Sequence, residues 1–202
     1  MKQEILFILL KEFADWEGAY IAPNLHMGIE PGSVSKYVVK TVSVTKDPVV
    51  SIGGFKVLPD YEINNIPADY AGIILIGGMS WFTPEAEAIV PLVKDAIENG
   101  KLVGGICNGS VFLGIHGFLN NVNHTSNGLE YLKQFAGTNY TGQSLYIDAP
   151  AVRSDNIVTA NGVSTLEFCR EILYVLEADS PKKIEKSYRM HKTGVWEAPE
   201  MD

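Results

Sequence analysis

One pentapeptide of the sequence has the residue types and spacing of a nucleophile, Gly105-Ile106-Cys107-Asn108-Gly109. It lies between a short apolar run and a helical segment, where many hydrolases carry Gly-x-Ser-x-Gly. A turn this tight needs glycines, because larger flanking side chains would collide. It would place Cys107 at a helix N-terminus, whose N–H groups and dipole favour a thiolate. The pattern therefore predicts a nucleophilic cysteine whose thiol pKa lies below its usual value of about 8.5.

The second cysteine, Cys169, has a different setting. It falls on the apolar face of a periodic helical segment with Leu166, Ile172 and Leu173, and we interpret it as a core residue. For Cys107 the alternative remains a buried structural thiol followed by a flexible glycine turn.

A pair of glycines is the second element that can do chemistry. Gly77-Gly78 follows the apolar run Ile73–Ile76. If this turn lies beside the cysteine, the backbone N–H groups of Gly78 and Asn108 can bind an oxyanion. The alternative is a plain turn between a strand and a helix.

The elements that must position these residues alternate along the chain between strand-like and helical patterns. Short apolar runs bounded by glycine are typical of strands buried on both faces of a parallel sheet. A β-branched segment and a Gly-Gly turn between two short apolar runs predict a further strand and a hairpin. We therefore expect an α/β fold with a three-layer, doubly wound, mostly parallel sheet and a small antiparallel hairpin. The predicted strands are Ile5–Leu10, Lys36–Thr45, Val49–Ile52, Phe55–Leu58, Ile73–Ile76, Leu102–Ile106 and Ile157–Thr159.

Start and stop signals delimit the predicted helices. Thr83 with Pro84 predicts a capped start for a helix that ends at Asn99-Gly100. Ser164 and Glu167 fit a capping box at the start of the helix that carries Cys169. Two shorter helices are predicted, one from Cys107 to His116-Gly117 and one over Gly128–Phe135. The polar segment Asp179–Asp202 is interpreted as an extended tail that packs on the body or on a partner subunit.

Composition limits the classes of function. The chain has 202 residues and a net charge of −8, so one domain is expected and a general nucleic-acid binder is excluded. The apolar run Ile5–Leu10 is too short to span a membrane and has no cleavage site after it. Two cysteines are too few for a secreted disulfide framework. We expect a cytoplasmic protein with free thiols and a small-molecule substrate.

No cofactor or metal is expected. The sequence has no glycine-rich phosphate loop of the usual spacing, so no nucleotide is inferred. Its four histidines are scattered, without a cysteine or acidic companion at ligand spacing.

Taken together, these motifs resemble the ThiJ/PfpI family of the class I glutamine amidotransferase-like superfamily. The resemblance depends on Gly77-Gly78, the cysteine elbow, a Thr-containing segment beyond it and the late stretch Ile157–Phe168. It covers residues 2–178, so we expect one α/β domain over 1–178, with 179–202 as a tail of that domain or a partner contact. The resemblance implies a flavodoxin-like sheet, a hydrolase, amidase, glyoxalase or deglycase activity, and a homodimer.

The resemblance also assigns a role to an acidic residue. The family has a carboxylate soon after the first strand, and Glu17 in Asp15-Trp16-Glu17-Gly18 fills that position. Its implied role is to donate a hydrogen bond to the thiolate from a protonated carboxyl. Two like charges in a poorly hydrated site disfavour each other, so we expect a raised Glu17 pKa. Without the resemblance, Asp15 and Glu17 also fit cap or surface positions.

The general base of the predicted site is assigned by comparing the four histidines with the family pattern. Many members of the family carry His directly after the nucleophile, whereas this chain has Asn108, which removes the Cys–His dyad of the protease-like branch. His124 resembles a family position that borders the pocket, and there it would accept or donate a proton. The alternative is an exposed loop histidine.

Two function classes follow from the sequence. The first is an enzyme in which Cys107 attacks a small electrophile and forms a covalent adduct, with Glu17 or His124 moving the proton. The second is a non-enzymatic redox sensor or stress-response protein that uses oxidation of the same cysteine.

Overall fold

The computed structural model describes residues 2–30 and 32–197, and these contain nine strands and seven α-helices. The strands are β1 (Gln3–Ile8), β2 (Tyr37–Ser43), β3 (Val49–Val50), β4 (Lys56–Val57), β5 (Tyr61–Glu62), β6 (Tyr70–Leu75), β7 (Leu102–Ile106), β8 (Ala151–Ser154) and β9 (Ile157–Ala160). The helices are α1 (Asp15–Ala19), α2 (Ile21–His26), α3 (Val90–Glu98), α4 (Asn108–Ile115), α5 (Leu129–Ala136), α6 (Thr165–Val175) and α7 (Pro181–Thr193). Short 3-10 helices cover Ser80–Phe82, Pro84–Ile89, Gly137–Asn139 and Gln143–Leu145.

Seven strands form the central sheet, in the order β5-β2-β1-β6-β7-β9-β8. All neighbouring pairs are parallel except β8, which runs antiparallel to β9 at one edge. β3 and β4 form a separate two-stranded antiparallel sheet. The predicted fold class, a mostly parallel sheet with a small antiparallel hairpin, is confirmed.

The sheet is covered on both faces because successive side chains of each strand point to opposite sides. In β1, Ile5 and Phe7 pack into a cluster with residues of α2 and α6. Leu6 and Ile8 pack into a second cluster with residues of α3, α4 and α5. Continuous apolar runs in the central strands are the consequence of this two-sided burial.

The carboxyl ends of four neighbouring strands meet at one edge of the sheet. The segments that follow β1, β6, β7 and β9 contain Glu17, Gly77, Cys107 and Gly162 respectively. Ligands bind at this edge in open α/β sheets, because several loops converge there. No helix in residues 2–30 and 32–197 has the length and apolar character needed to cross a bilayer.

Two predicted helix caps are wrong. The Thr83 hydroxyl donates to the Ser80 carbonyl at 2.8 Å and makes no cap hydrogen bond to the 3-10 turn that precedes α3. Ser164 makes no side-chain cap bond either. Its expected partner Glu167 instead accepts hydrogen bonds from Tyr188 and Lys192 at 2.8 and 2.7 Å. Glu167 bonds to the charged side chain of Lys192 rather than to the backbone N–H of Ser164, because a charge-assisted hydrogen bond is the stronger one.

The C-terminal segment forms a helix, where an extended tail was predicted. The Ser180 hydroxyl accepts from the Lys183 N–H, Pro181 starts α7, and Gly194 ends it in the left-handed conformation. These are ordinary helix boundary signals. α7 packs on α6, partly through the Glu167–Lys192 ion pair. Residues 198–202 lie outside the described residues.

Candidate active site

The cysteine lies at a strained turn between β7 and α4, as the pentapeptide predicts. Its φ and ψ angles are 54° and −128°, a region that disfavours side chains and costs about 1–3 kcal/mol. A side chain at Gly109 would collide with the Leu75 carbonyl, which explains the glycine two residues after the nucleophile. Cys107 is partly accessible, whereas Cys169 is buried in the core as predicted.

Glu17 on α1 is completely buried at this edge. Its Oε2 accepts a hydrogen bond from the Gly77 N–H at 2.7 Å. Its Oε1 is buried without a hydrogen-bond partner among the described residues. Burial raises the pKa of Glu17 to about 7, although the Gly77 N–H and the Cys107 side chain favour the ionised form.

The Glu17 carboxyl and the Cys107 sulfur face the same glycine. A Cβ placed on Gly162 would lie 2.8 Å from Sγ of Cys107 and 3.2 Å from Oε1 of Glu17. A side chain at Gly77 would collide with the same two residues, at Oε2 of Glu17 and Cβ of Cys107. The pair is therefore confined between two backbone segments that must be glycine.

The pKa of the thiol differs in direction from the sequence-based expectation. Burial and then the nearby negative charge of Glu17 raise the pKa of Cys107 to about 11. Hydrogen bonds from Asn127 and from the Asn108 N–H lower it, but they do not compensate. The helix N-terminus alone thus does not make a free thiolate. Between about pH 7 and about 11 the pair therefore holds one proton and one negative charge, and the two groups titrate as a coupled pair.

Asn127 is a site residue that the sequence reasoning missed. Its Nδ2 lies 3.4 Å from Sγ of Cys107, and its Oδ1 accepts from the Gly162 N–H at 3.0 Å. Two bonds fix the preceding residues: the Thr125 N–H donates to Thr159 Oγ1 at 2.8 Å, and the hydroxyls of Ser126 and Ser110 are 2.7 Å apart. In the sequence, Asn127-Gly128 indicates only a turn before a helix.

Asn108 links the cysteine turn to the Gly77-Gly78 loop. Its Nδ2 donates to the Gly78 carbonyl at 2.8 Å, and its Oδ1 accepts from Tyr131 at 3.3 Å. No hydrogen bond among the described residues uses the Gly78 N–H. The Gly78 peptide therefore lies next to the elbow, and its N–H is unpaired in the described part of the chain although the residue is buried.

His124 does not join this site, and the structure corrects its assignment. The residue is fully buried, with Nδ1 2.8 Å from the Val122 carbonyl and Nε2 2.6 Å from the Tyr140 hydroxyl. A carbonyl only accepts, so Nδ1 carries the proton and Nε2 accepts from Tyr140. Burial lowers the pKa of His124. It is thus a neutral structural histidine, neither an exposed loop residue nor a base for Cys107.

A pocket of about 560 Å³ opens above the sulfur. Its walls include two aromatic residues, Trp16 and Tyr146, and the acidic residue Asp148. The Trp16 ring is fixed by a 3.1 Å hydrogen bond from Nε1 to the Gly162 carbonyl. In the described part of the chain, no three His, Cys, Asp or Glu side chains are grouped to hold a metal ion. The remaining lining residues are Glu17, Cys107, Ser126, Asn127, Gly128, Asn161, Gly162 and Val163.

Known proteins resemble this chain over nearly its whole length. Residues 3–174 match the model of the DJ-1/PfpI family. The Bacillus subtilis (strain 168) protein named "Uncharacterized protease YdeA" is 36% identical over 195 residues, 96% of this chain and 93% of that protein. The crystal structure of the thiJ/pfpI family protein from Bacillus anthracis superposes with a TM-score of 0.90 at 28% identity, covering 96% of this chain and 92% of the other.

A relative with a named activity matches a shorter stretch. The Caenorhabditis elegans protein named "Glutathione-independent glyoxalase DJR-1.2" is 29% identical over 141 residues, 65% of this chain and 69% of that protein.

Proposed function

The chain belongs to the DJ-1/PfpI family, and on that premise we propose that it is a cysteine-dependent enzyme acting on small carbonyl compounds. The substrate class is an α-oxoaldehyde, for which methylglyoxal is the test compound. The observation that carries the proposal is the buried Glu17 carboxyl facing the Cys107 sulfur. Its pKa of about 7 is suited to a base that works near neutral pH.

The first step is addition of sulfur to the aldehyde. Glu17 accepts the Cys107 proton as the sulfur forms a bond to the aldehyde carbon, whose oxygen becomes negative. The N–H groups of Gly78 and Asn108 stabilise that oxyanion. The proton then passes from Glu17 to the oxygen, and a neutral hemithioacetal results.

The second stage moves a hydrogen between two carbons. Glu17, ionised again, removes the proton from the former aldehyde carbon and returns a proton to the ketone carbon, while the hydroxyl proton of the hemithioacetal passes to the ketone oxygen. This internal oxidation and reduction converts the hemithioacetal into a thioester of a 2-hydroxy acid. Water hydrolyses the thioester and regenerates the thiol, so the sum is one α-oxoaldehyde and one water giving one 2-hydroxy acid, without an external oxidant or reductant.

An aldehyde suits this site better than an amide. Addition to an aldehyde expels no leaving group, so the single proton carried by the Cys107–Glu17 pair is sufficient. Peptide hydrolysis also requires that the departing amine be protonated, a step that a histidine performs in Ser-His-Asp enzymes, and here His124 is held by Val122 and Tyr140. The protease name of the Bacillus subtilis relative therefore receives less support from the site than the glyoxalase name of the Caenorhabditis elegans relative.

A second candidate function is favoured by the unpartnered oxygen of Glu17. A protonated Oε1 can donate a hydrogen bond to a sulfinate oxygen on Cys107, which stabilises the oxidised sulfur. In that case the protein would respond to peroxide and turn nothing over. The raised pKa of Cys107 opposes this candidate, because the thiolate is the form that oxidants attack.

The test follows methylglyoxal consumption and lactate formation with wild type and Cys107→Ala. We expect equal amounts of both, abolished by Cys107→Ala and reduced about 10²- to 10⁴-fold by Glu17→Gln, the range for loss of a general base. Cys169→Ala is the matched control, since Cys169 lies in the core. No lactate, together with a peroxide-induced mass gain confined to Cys107, would contradict catalysis and support the redox candidate.

A further inference from the structure

The pocket above Cys107 has a charge pattern that the proposed chemistry does not require. We infer that Asp148 is a specificity-determining residue that makes this pocket reject anionic electrophiles and accept neutral or cationic ones. The inference rests on the proposed function for its substrate class, but the charge selection itself is measurable on the thiol alone.

Asp148 is placed to act on a substrate. It is an exposed residue that lines the same pocket as Cys107 and Tyr146. No hydrogen bond or ion pair within residues 2–30 and 32–197 engages its carboxylate. The chain around it is fixed, because the Thr125 hydroxyl donates to the Ala149 carbonyl at 2.9 Å and the Ile147 N–H donates to the His124 carbonyl at 2.8 Å. The carboxylate therefore has no partner in the described part of the chain, and the backbone that carries it is held in place.

Nothing in the pocket lining balances that charge. The residues that line it include Asp148 and Glu17 but no Lys, Arg or His. Above pH 7 the Glu17–Cys107 pair contributes a second negative charge. An anionic substrate, such as a 2-oxo acid or a sugar phosphate, would meet two like charges and no cation to pair with. The net charge of −8 on the whole chain adds to the same repulsion at low salt.

The walls of the pocket suit the opposite kind of ligand. Trp16 and Tyr146 present aromatic rings on the pocket, and the Trp16 indole is fixed through its N–H. Aromatic faces attract ammonium groups and also pack against neutral carbon skeletons. A carboxylate next to aromatic walls therefore favours a substrate that is uncharged or carries an amine.

The test uses two thiol reagents of similar size and opposite charge, trimethylammonioethyl and sulfonatoethyl methanethiosulfonate. In each case the Cys107 sulfur bonds to the sulfenyl sulfur of the reagent and methanesulfinate leaves. The cation-to-anion rate ratio, divided by the ratio for β-mercaptoethanol, reports the charge of the pocket. We expect a ratio well above one in wild type, lowered about three- to tenfold in Asp148→Asn, as for a partly screened charge in the same pocket.

The matched control is Asp155→Asn, which removes the same charge from an exposed turn between β8 and β9. This turn precedes the amino end of β9, whereas the pocket lies at the carboxyl ends of the parallel strands. Asparagine tolerates the positive φ of 49° at that position. We expect Asp155→Asn to retain the wild-type ratio and 0.5 M salt to lower it. Equal ratios in Asp148→Asn, Asp155→Asn and wild type would overturn the inference. Because the readout is labelling of Cys107, it is obtained whether or not methylglyoxal is turned over.

Discussion

The carboxyl of Glu17 and the sulfur of Cys107 both lie under the backbone of Gly162, where a β-carbon would be 3.2 Å from Oε1 and 2.8 Å from the sulfur. Both groups are acids with pKa values raised by burial. The charge of Glu17 raises the pKa of Cys107 further, whereas the hydrogen bond with the Cys107 side chain lowers the pKa of Glu17. The site is therefore a two-acid unit that holds one proton between about pH 7 and about 11. This relationship leads to most of the predictions below.

The pH dependence of the Cys107 alkylation rate reports on the proton held by the Glu17–Cys107 pair. In wild type we expect the iodoacetamide rate to rise up to about pH 7, where Glu17 ionises, and then to stay level until the thiol titrates towards about 11. On the level stretch the pair has a constant charge, so the thiolate fraction does not change with pH. The measurement is the second-order rate constant at half-unit steps from pH 5.5 to 10.5.

Glu17→Gln removes the carboxylate from that pair. We expect the level stretch to disappear and the rate to rise about tenfold per pH unit up to a single thiol pKa, which lies below 11 because the negative neighbour is gone. A level stretch that persists in Glu17→Gln would show that another group shares the proton.

Glu17 should also make the fold less stable at high pH. Its folded pKa of about 7 lies above its ordinary value of 4.5, so the folded state binds the proton more tightly. The resulting stability is present below about pH 4.5 and is lost as the pH rises through 7, a loss of roughly 3 kcal/mol. Wild type should therefore lose about this much more unfolding free energy than Glu17→Gln between pH 4.5 and 8, measured by urea denaturation. Parallel curves for the two proteins would contradict the buried carboxyl.

Gly162→Ala tests the confinement of the pair. The new methyl group would lie 2.8 Å from the Cys107 sulfur and 3.2 Å from Glu17 Oε1, so the two side chains must move apart. We expect loss of the level alkylation stretch and a stability decrease of about 1–3 kcal/mol, as for overpacking. Gly18→Ala is the control, because a Cβ there meets Ile76 at an ordinary 3.5 Å. Similar behaviour of the two variants would argue against a specific role of Gly162.

Asn127→Ala removes a donor from the sulfur. The Asn127 amide lowers the pKa of Cys107, so its loss should move the thiol titration in the alkylation profile to higher pH. Labelling between pH 7 and 9 should slow by a few-fold, which corresponds to the loss of one hydrogen bond of about 1 kcal/mol. Asn65→Ala changes an exposed asparagine in the same way and should leave the profile unchanged. A shift of equal size in both variants would remove Asn127 from the site.

His124→Ala should affect folding but not chemistry. The variant leaves Tyr140 and the Val122 carbonyl without their partners, and we expect about 1–3 kcal/mol lower unfolding free energy at pH 7.5. Because the folded pKa of His124 is lowered, its contribution is present above about pH 6.5 and is lost as the pH falls. The variant should thus lose less stability than wild type on acidification. An altered alkylation profile would reinstate His124 as a base.

The sequence by itself determined the elements that local chemistry controls. The run Leu102–Ile106 and the glycines around Cys107 specify a strand, a strained turn and a helix, because sterics within a few residues decide that geometry. The apolar periodicity of the strands determined a buried parallel sheet. Ser180, Pro181 and Gly194 also carry the boundaries of α7, although that helix was not predicted from them.

The contacts between distant segments were decided only by the tertiary structure. Glu17 and Cys107 are 90 residues apart, and their proximity depends on the neighbouring positions of β1, β6 and β7 in the sheet. The same holds for Asn127, because the preceding Thr125 and Ser126 bond to the distant residues Thr159 and Ser110. It also holds for His124, whose ring is hydrogen-bonded to Tyr140. A pKa depends on burial and on such neighbours, so the acidity of the thiol could not be read from its place at a helix N-terminus.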